Sequence, residues 1–250
     1  MIKPKHVIIL ICGYLALLWL PVILVDFLNV YGIRDRLNIV VWQYLFANGR
    51  PVEWAQWYTI GATALMATYI SASLNVYHVK NKQALSMFWL LMGAALILML
   101  VEDAGNVRHE IRRIVENISG LPRHTGRLDK AVEFIYFTAL ASVPCYALIR
   151  YGKYLRTYSI SLIYILCGFA FYAVAAICNA TRNWNSWYAS VGEIIQERAG
   201  LIVPSYDNPS HYGHWLMDAL FEESLELLGA MFLLAAAVSF WKSISFKSHS

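Results

Sequence analysis

Residues 219–241 have the sequence ALFEESLELLGAMFLLAAAVSFW, in which only Glu222, Glu223 and Glu226 carry charge. An α-helix rises ~1.5 Å per residue, so a stretch of this length crosses the ~30 Å of hydrocarbon in a bilayer. From Leu227 onward the only polar side chain in the stretch is Ser239. The stretch therefore predicts a transmembrane helix whose acids are confined to one end.

The rest of the chain has the same character. Its 250 residues are 59% hydrophobic and 14% charged, whereas globular domains are ~25% charged, so the composition excludes a soluble globular protein. Apolar residues at helical spacing in 35–45 predict a short helix in the membrane interface. We expect an all-α polytopic membrane helical bundle that forms a single integral membrane domain over residues 1–250. The six predicted spans are 7–26, 55–77, 84–103, 131–150, 157–179 and 219–241.

Basic residues indicate the orientation of these spans. The short segments on one side contain Lys3, Lys5, Lys80, Lys82, Arg150, Lys153, Arg156, Lys242 and Lys247. Because cytoplasmic loops are enriched in Lys and Arg, both termini are expected in the cytoplasm. The opposite loop, 104–130, also carries six basic residues, so the inverted orientation stays open. We attribute the net charge of +4 to these loops and expect no nucleic-acid partner.

The depth of the acidic residues points to a functional region. An acid within hydrocarbon costs at least ~2.5 kcal/mol and is a functional candidate by default. The helix rise of ~1.5 Å per residue gives the distance of each acid from the basic residue at the inner end of its span. These distances are about 31 Å for Asp26, about 30 Å for Glu102 and Glu222, about 25 Å for Glu133 and about 24 Å for Glu226. Acids from four spans are therefore predicted to share one layer near the outer surface.

Two helix faces concentrate polar groups in this layer. The last helix has His211, His214, Asp218, Glu222 and Glu226 within an arc of about 120° at ~100° per residue. The end of the third span has a second such face, formed by Glu102, Asn106, His109, Glu110 and Arg113. If the two faces meet, carboxylates and imidazoles come together in the outer layer.

Carboxylates and imidazoles are the ligands with which helical bundles bind zinc, manganese or iron. We expect an outward-facing site that binds a divalent metal ion, with Glu102, Glu222 and Glu226 as the principal ligands. No catalytic residue is assigned. The complete set of predicted metal ligands is Glu102, His109, Glu133, His214, Asp218, Glu222 and Glu226.

Two other interpretations of the acidic layer stay open. In the first interpretation, the acids at the helix ends form ordinary surface ion pairs with Arg108, Arg112 and Arg113. In the second, one or more carboxylates handle protons. Glu226 is the strongest single candidate, since it lies about one turn deeper than its neighbours and needs a partner, either Arg182 or a bound cation.

Three segments resemble a loose set of uncharacterised bacterial multipass inner-membrane proteins. They are Pro51-Val52-Glu53-Trp54, Val101-Glu102-Asp103 and the stretch EESLELLGA at 222–230. The resemblance implies a protein of six to eight spans in the cell inner (plasma) membrane. It implies no activity.

Three function classes follow from these patterns. A metal-dependent membrane enzyme acting on a lipid or lipid-linked substrate fits the one-sided polar layer, but the chain has no H-E-x-x-H or G-x-S-x-G motif. An ion-coupled transporter predicts ionisable groups near the midplane, where this chain is uncharged. A noncatalytic membrane subunit needs no motif. The expected partners are membrane lipids and either further copies of the chain or a partner subunit, and the sequence leaves open whether the protein is an enzyme.

Overall fold

The computed structural model describes residues 3–37, 39–74, 76, 79–119, 126–181, 186–201 and 209–247. This part of the chain is helical and contains no strand, which confirms the all-α class. Its α-helices are α1 (Pro4–Pro21), α2 (Ile33–Leu37), α3 (Val41–Leu45), α4 (Pro51–Ser73), α5 (Lys82–Gly105), α6 (Val107–Ser119), α7 (Gly126–Tyr151), α8 (Ser159–Thr181), α9 (Trp187–Ala199), α10 (Pro209–Leu216) and α11 (Glu223–Lys247).

Two π-helical segments extend or join these helices. Segment π1, Val22–Phe27, follows Pro21 at the end of α1, and segment π2, Met217–Glu222, joins α10 to α11. A proline has no N–H to donate within a helix, which favours a change in the hydrogen-bonding pattern at Pro21. Each π segment contains one buried acid, Asp26 in π1 and Glu222 in π2. π-helical turns occur frequently at functional sites.

Four helical stretches in the described residues are long and apolar enough to cross a membrane: Pro4–Phe27, Lys82–Gly105, Phe134–Thr181 and Tyr212–Ser245. This organisation is compatible with a multipass membrane protein. The third stretch covers most of the predicted span 131–150 and all of the predicted span 157–179. A 3₁₀ segment, Gly152–Tyr158, lies where the two spans meet. The predicted span 55–77 corresponds to α4, which is not among the four. Six spans, the inner membrane and the orientation of the termini stay predictions.

The last of the four stretches is the most enclosed by protein. Two thirds of its most apolar window, 67%, is buried, compared with 39% or less in the other three. The other three stretches have a smaller share of buried residues. The acids at the start of α11 consequently lie on the helix that the protein itself surrounds most completely.

The chain divides into two compact units. The first comprises Met1–Lys5, Trp57–Cys167 and Phe232–Ser250, and the second comprises His6–Gln56 and Gly168–Met231. The single integral membrane domain expected over 1–250 stays a prediction.

Aromatic side chains form the centre of the first unit. Trp89 and Phe240 are 1% and 0% exposed, with ring centroids 5.1 Å apart. Tyr158 also packs against Phe240, with ring centroids 4.6 Å apart. The hydroxyl of Ser161 donates to the carbonyl of Ala236 at 2.9 Å, so α8 and α11 are also joined by a buried hydrogen bond.

The second unit is organised around α3, which contacts both π1 and π2. The predicted interfacial helix at 35–45 is instead two short helices, α2 and α3, because Val40 is extended, with φ −122° and ψ 110°. Trp42 of α3 is 1% exposed. Its indole N–H donates to the hydroxyl of Tyr212 at 3.0 Å, which attaches α3 to α10. Helix α3 is therefore held by protein contacts.

Candidate carboxylate site

Glu222 is the central residue of the candidate site in the second unit. It closes π2 and is 8% exposed. Asn179 near the end of α8 donates from Nδ2 to Oε1 of Glu222 at 2.7 Å. The hydroxyl of Tyr188 on α9 lies 3.4 Å from Oε2. Both oxygens of this carboxyl group therefore face a donor from another helix.

Two further carboxyl groups lie one turn away on either side. Asp218 forms a side-chain hydrogen bond with Glu222, and Glu226 is close enough to interact with Glu222 electrostatically. Gln56 at the start of α4 donates from Nε2 to Oε2 of Glu226 at 2.7 Å. Asp218 and Glu226, which the sequence places on the same helix face as Glu222, therefore both interact with it in the structure. We call these three residues the carboxylate cluster.

The backbone next to the cluster is anchored by Ser224. Its hydroxyl donates to the carbonyl of Leu220 at 2.5 Å, and Trp19 of α1 donates from Nε1 to that hydroxyl at 3.0 Å. A serine hydroxyl that bonds to the preceding turn competes with the regular helical pattern, which fits the change from π2 to α11 at Glu223. Helix α1 is thereby joined to the segment that carries the acids.

His214 packs against a residue that faces the cluster. Its imidazole packs against the ring of Tyr188 in an edge-on arrangement with centroids 5.5 Å apart. Tyr188 is fully buried, and its hydroxyl faces Glu222. Tyr188 of α9 therefore contacts both the imidazole and the central carboxyl group. The side chain of His211, part of the same predicted stripe, lies outside the described residues.

Asp26, the acid predicted in the same layer from the first span, has a local partner. Its Oδ1 and Oδ2 accept hydrogen bonds from the backbone N–H groups of Val41 and Trp42, both at 2.8 Å. The first N–H groups of a helix have no partner within the helix, and an acceptor at the N-terminus satisfies them. Asp26 is 0% exposed, so its role in the structure is to fix α3 against π1.

Arg34 ties this region to α9. Its Nη1 donates to the carbonyl oxygens of Asp26 at 2.8 Å and Ala199 at 3.0 Å. Its Nε also pairs with Asp35 at 3.1 Å. Hydrogen bonds from Arg34 and Asn29 lower the pKa of Asp35 below its ordinary value.

Glu102 belongs to the first unit. It accepts a hydrogen bond from the hydroxyl of Tyr136 on α7 at 2.7 Å, and the adjacent Asp103 accepts one from Nε1 of Trp57 at 3.0 Å. These acids join α5 to α7 and α4 within that unit. The side chains of two other predicted ligands, His109 and Glu133, lie outside the described residues, as does Arg182.

The structure therefore brings together part of the predicted metal set. Asp218 and Glu226 each interact with Glu222, and His214 packs against Tyr188. No group of three or more His, Cys, Asp or Glu side chains within the described ranges is arranged to hold a metal ion. The donors of Asn179 and Tyr188 occupy the oxygens of Glu222 in this arrangement, so the divalent metal ion stays a prediction.

One surface ion pair near the acidic layer lies within the described residues. Arg113 pairs with Glu110 of the same helix at 3.0 Å, and both side chains are more than half exposed. Such an exposed pair contributes little to stability. The side chains of Arg108 and Arg112 lie outside the described residues.

Sequence reasoning missed three residues of this site: Asn179, Tyr188 and Gln56. All three donate to, or lie beside, the carboxylate cluster. Asn179 and Gln56 carried a signal, because an amide at the end of an apolar helix costs free energy unless it is hydrogen-bonded. Tyr188 carried none, since tyrosines at membrane interfaces are common for other reasons.

No protein-family model, curated protein or solved structure matches this chain. The resemblance to bacterial multipass inner-membrane proteins accordingly stays a prediction.

Proposed function

We propose that the protein is a membrane protein that binds a cation at the carboxylate cluster, with Glu222 as the central ligand. One observation carries the proposal. The carboxyl group of Glu222 is buried, is oriented by Asn179 and Tyr188, and lies between two other carboxyl groups on the most enclosed of the four apolar stretches.

The charge balance of the cluster favours a cation. Removing a carboxylate from water is costly unless it is paired, and neighbouring carboxylates repel one another. Amide and phenol donors such as those of Asn179 and Tyr188 offset part of the cost but bring no net charge. A bound cation offsets the repulsion among all three carboxylates at once.

The ligand types favour a divalent ion. Carboxylate oxygens suit manganese, magnesium and calcium, and an imidazole extends the range to zinc and iron. Three carboxylates with His214 nearby fit manganese best, because it accepts both oxygen and nitrogen ligands. Binding would require Asn179 or Tyr188 to release an oxygen of Glu222, which a change of side-chain rotamer achieves.

Metal analysis of the purified protein tests this proposal. Wild type and the variants Glu222→Gln and Glu226→Gln are incubated with Mn²⁺ or Zn²⁺, washed, and measured for bound metal. Glu197→Gln serves as the matched control, since Glu197 is an exposed acid on α9. We expect near-stoichiometric metal in wild type and control, and about tenfold less in the two cluster variants. Equal metal in all four proteins would exclude a metal ion.

A proton is the second candidate cation, and a specific contact favours it. The side chains of Asp218 and Glu222 are hydrogen-bonded to each other. An ionised carboxylate only accepts hydrogen bonds, so two carboxyl groups in contact favour a proton shared between them. The cluster would then hold and exchange a proton without any metal.

Infrared spectroscopy separates the proton from the metal. A protonated carboxyl group gives a carbonyl band that Asp218→Asn or Glu222→Gln would remove. We expect this band in metal-free wild type at neutral pH, and its loss when a metal binds, because metal ligands must be deprotonated. Absence of the band in metal-free protein would exclude the shared proton.

The process that this site serves is a further part of the proposal. Flux into proteoliposomes driven by an ion gradient would identify an ion-coupled transporter. Constant copurification of a second protein would identify a noncatalytic subunit. Turnover of a lipid or lipid-linked substrate that follows the metal content of the variants would identify an enzyme.

A further inference from the structure

Helix α6 has a strongly one-sided distribution of apolar residues. At ~100° per residue its apolar positions fall within an arc of about 100°. The charged residues of the helix all occupy the remaining arc. The apolar positions are Val107, Ile111, Ile114, Val115 and Ile118.

Within the described residues, two isoleucines of this apolar face are largely exposed. Ile114 is 56% exposed, and Ile118 is 82% exposed. Two isoleucines on one face of a helix are rarely left in water to this extent when they belong to a continuous apolar stripe. Something other than the described part of the chain must cover them.

The position of α6 identifies what covers the face. Helix α5, one of the four stretches able to cross a membrane, ends at Gly105. Asn106 follows in the left-handed conformation, with φ 49°, and its N–H bonds to the carbonyl of Glu102. Helix α6 then starts at Val107, only two residues beyond the end of the span. It therefore begins where hydrocarbon gives way to headgroups.

The polar face suits that boundary. Glu110 is neutralised by its ion pair with Arg113 at 3.0 Å. Around the helix axis, positions 108 and 112 lie next to Val115, at one edge of the apolar arc. Both positions are arginines. Arginines that flank an apolar stripe are typical of helices that lie in the plane of the interface, where they meet lipid phosphates.

We propose that α6 is an interfacial helix whose apolar face, centred on Ile118, is buried in the surface of a phospholipid bilayer beside the end of α5. The helix would extend for about 20 Å along the membrane at ~1.5 Å per residue. This surface is separate from the carboxylate cluster, and the proposal does not depend on a bound cation.

Fluorescence quenching of single-cysteine variants tests the proposal. The four native cysteines are replaced, and an environment-sensitive label is attached at Ile118→Cys or, as a matched control, at Asn117→Cys. Both positions are exposed, so neither change removes a core contact. The full-length protein is then reconstituted in vesicles of phosphatidylglycerol and phosphatidylethanolamine.

We expect the label at 118 to be quenched by a lipid carrying a quencher at its upper acyl chain and to be protected from aqueous iodide. The label at 117 should show the opposite pattern. Equal iodide quenching at both positions would mean that the face is in water. Protection of 118 from both quenchers would mean that protein, such as a second copy of the chain, covers the face. Either result overturns the proposal.

Discussion

Asn179 and Glu222 are joined by a hydrogen bond of 2.7 Å from Nδ2 to Oε1, which connects α8 to the end of π2. Both residues are buried, at 5% and 8% exposure. An amide can donate to a carboxyl group without adding charge, so this contact orients Glu222 and leaves the charge of the cluster unchanged.

Substitution of Asn179 should separate the effects of hydrogen bonding and charge. Asn179→Leu removes the amide donor and leaves a buried oxygen of Glu222 without that hydrogen bond. This loss should lower the free energy of unfolding by about 1–3 kcal/mol. Asn179→Asp places a fourth carboxyl group next to Glu222 and should lower the thermal unfolding midpoint further at neutral pH. Both midpoints are measured in detergent.

The pH dependence of the two Asn179 variants provides the control. Acidification protonates the added carboxyl group, so it should raise the unfolding midpoint of Asn179→Asp more than that of Asn179→Leu. Added divalent metal should also stabilise Asn179→Asp more than Asn179→Leu if the cluster binds such an ion. Identical midpoints for the two variants at every pH would contradict the role of charge at this position.

Asp26 should be required for the placement of α3. Asp26→Ala leaves the N–H groups of Val41 and Trp42 without their acceptors, at a cost of about 1–3 kcal/mol. Asp26→Asn retains one carbonyl oxygen and should be less harmful. Limited proteolysis between residues 28 and 50 should be fastest in Asp26→Ala, slower in Asp26→Asn and slowest in wild type.

Asp35→Ala is the control for this prediction. The Asp35 side chain is 66% exposed, so its removal should leave the stability nearly unchanged. Equal proteolysis of Asp26→Ala and Asp35→Ala would show that Asp26 does not hold α3.

The fold class was predictable because the hydropathy of a segment depends only on its own residues. The ends and breaks of the helices depend on contacts between residues that are far apart in the chain. The apolar runs at 7–26, 84–103 and 219–241 correspond to three of the four stretches long enough to cross a membrane. The short helix at 35–45 was predicted as one element. It is broken at Val40, where the first turn of α3 is fixed by Asp26 of another segment. Helical periodicity holds no information about such a cap.

The candidate site was predictable only along a single helix. The four-residue spacing of Asp218, Glu222 and Glu226 identified the carboxylate cluster, because helical phase is a local property. The donors Asn179 and Gln56 come from positions 43 and 170 residues away in the chain. Their pairing depends on how helices pack, which one sequence does not specify. The two π segments were also missed, since no simple residue pattern marks them.

The contact between α9 and α10 should tolerate no side chain at Gly213. A Cβ atom there would lie 2.7 Å from the carbonyl oxygen of Ala189 and 2.8 Å from the backbone nitrogen of Glu193. Gly213→Ala should therefore destabilise the protein by about 1–3 kcal/mol through overpacking. Because α9 carries Tyr188, this variant should also bind less metal if the cluster binds one. Thermal unfolding and metal analysis measure the two effects.

Gly13→Ala provides the matched comparison for Gly213. A Cβ atom at Gly13 in α1 would meet no atom within 4 Å. Alanine is favoured over glycine in a helix by about 1 kcal/mol, so this variant should be as stable as wild type or slightly more stable. If Gly213→Ala and Gly13→Ala unfold at the same temperature, the close approach of α9 and α10 is refuted.

Glu53 should make the stability of the protein depend on pH. It is 6% exposed in the first turn of α4, and burial raises the pKa of its carboxyl group above the ordinary value of 4.5, against a hydrogen bond from the N–H of Gly49. The folded state then holds this proton more tightly than the unfolded chain, so the contribution of Glu53 to stability is greatest at low pH and falls as the pH rises through the raised pKa. Glu53→Gln cannot titrate, so the midpoint of wild type minus that of the variant should decrease as the pH rises above the ordinary pKa of 4.5. Glu197→Gln, at an exposed position, should show no such trend. A constant difference between wild type and Glu53→Gln across this range would disprove the assignment.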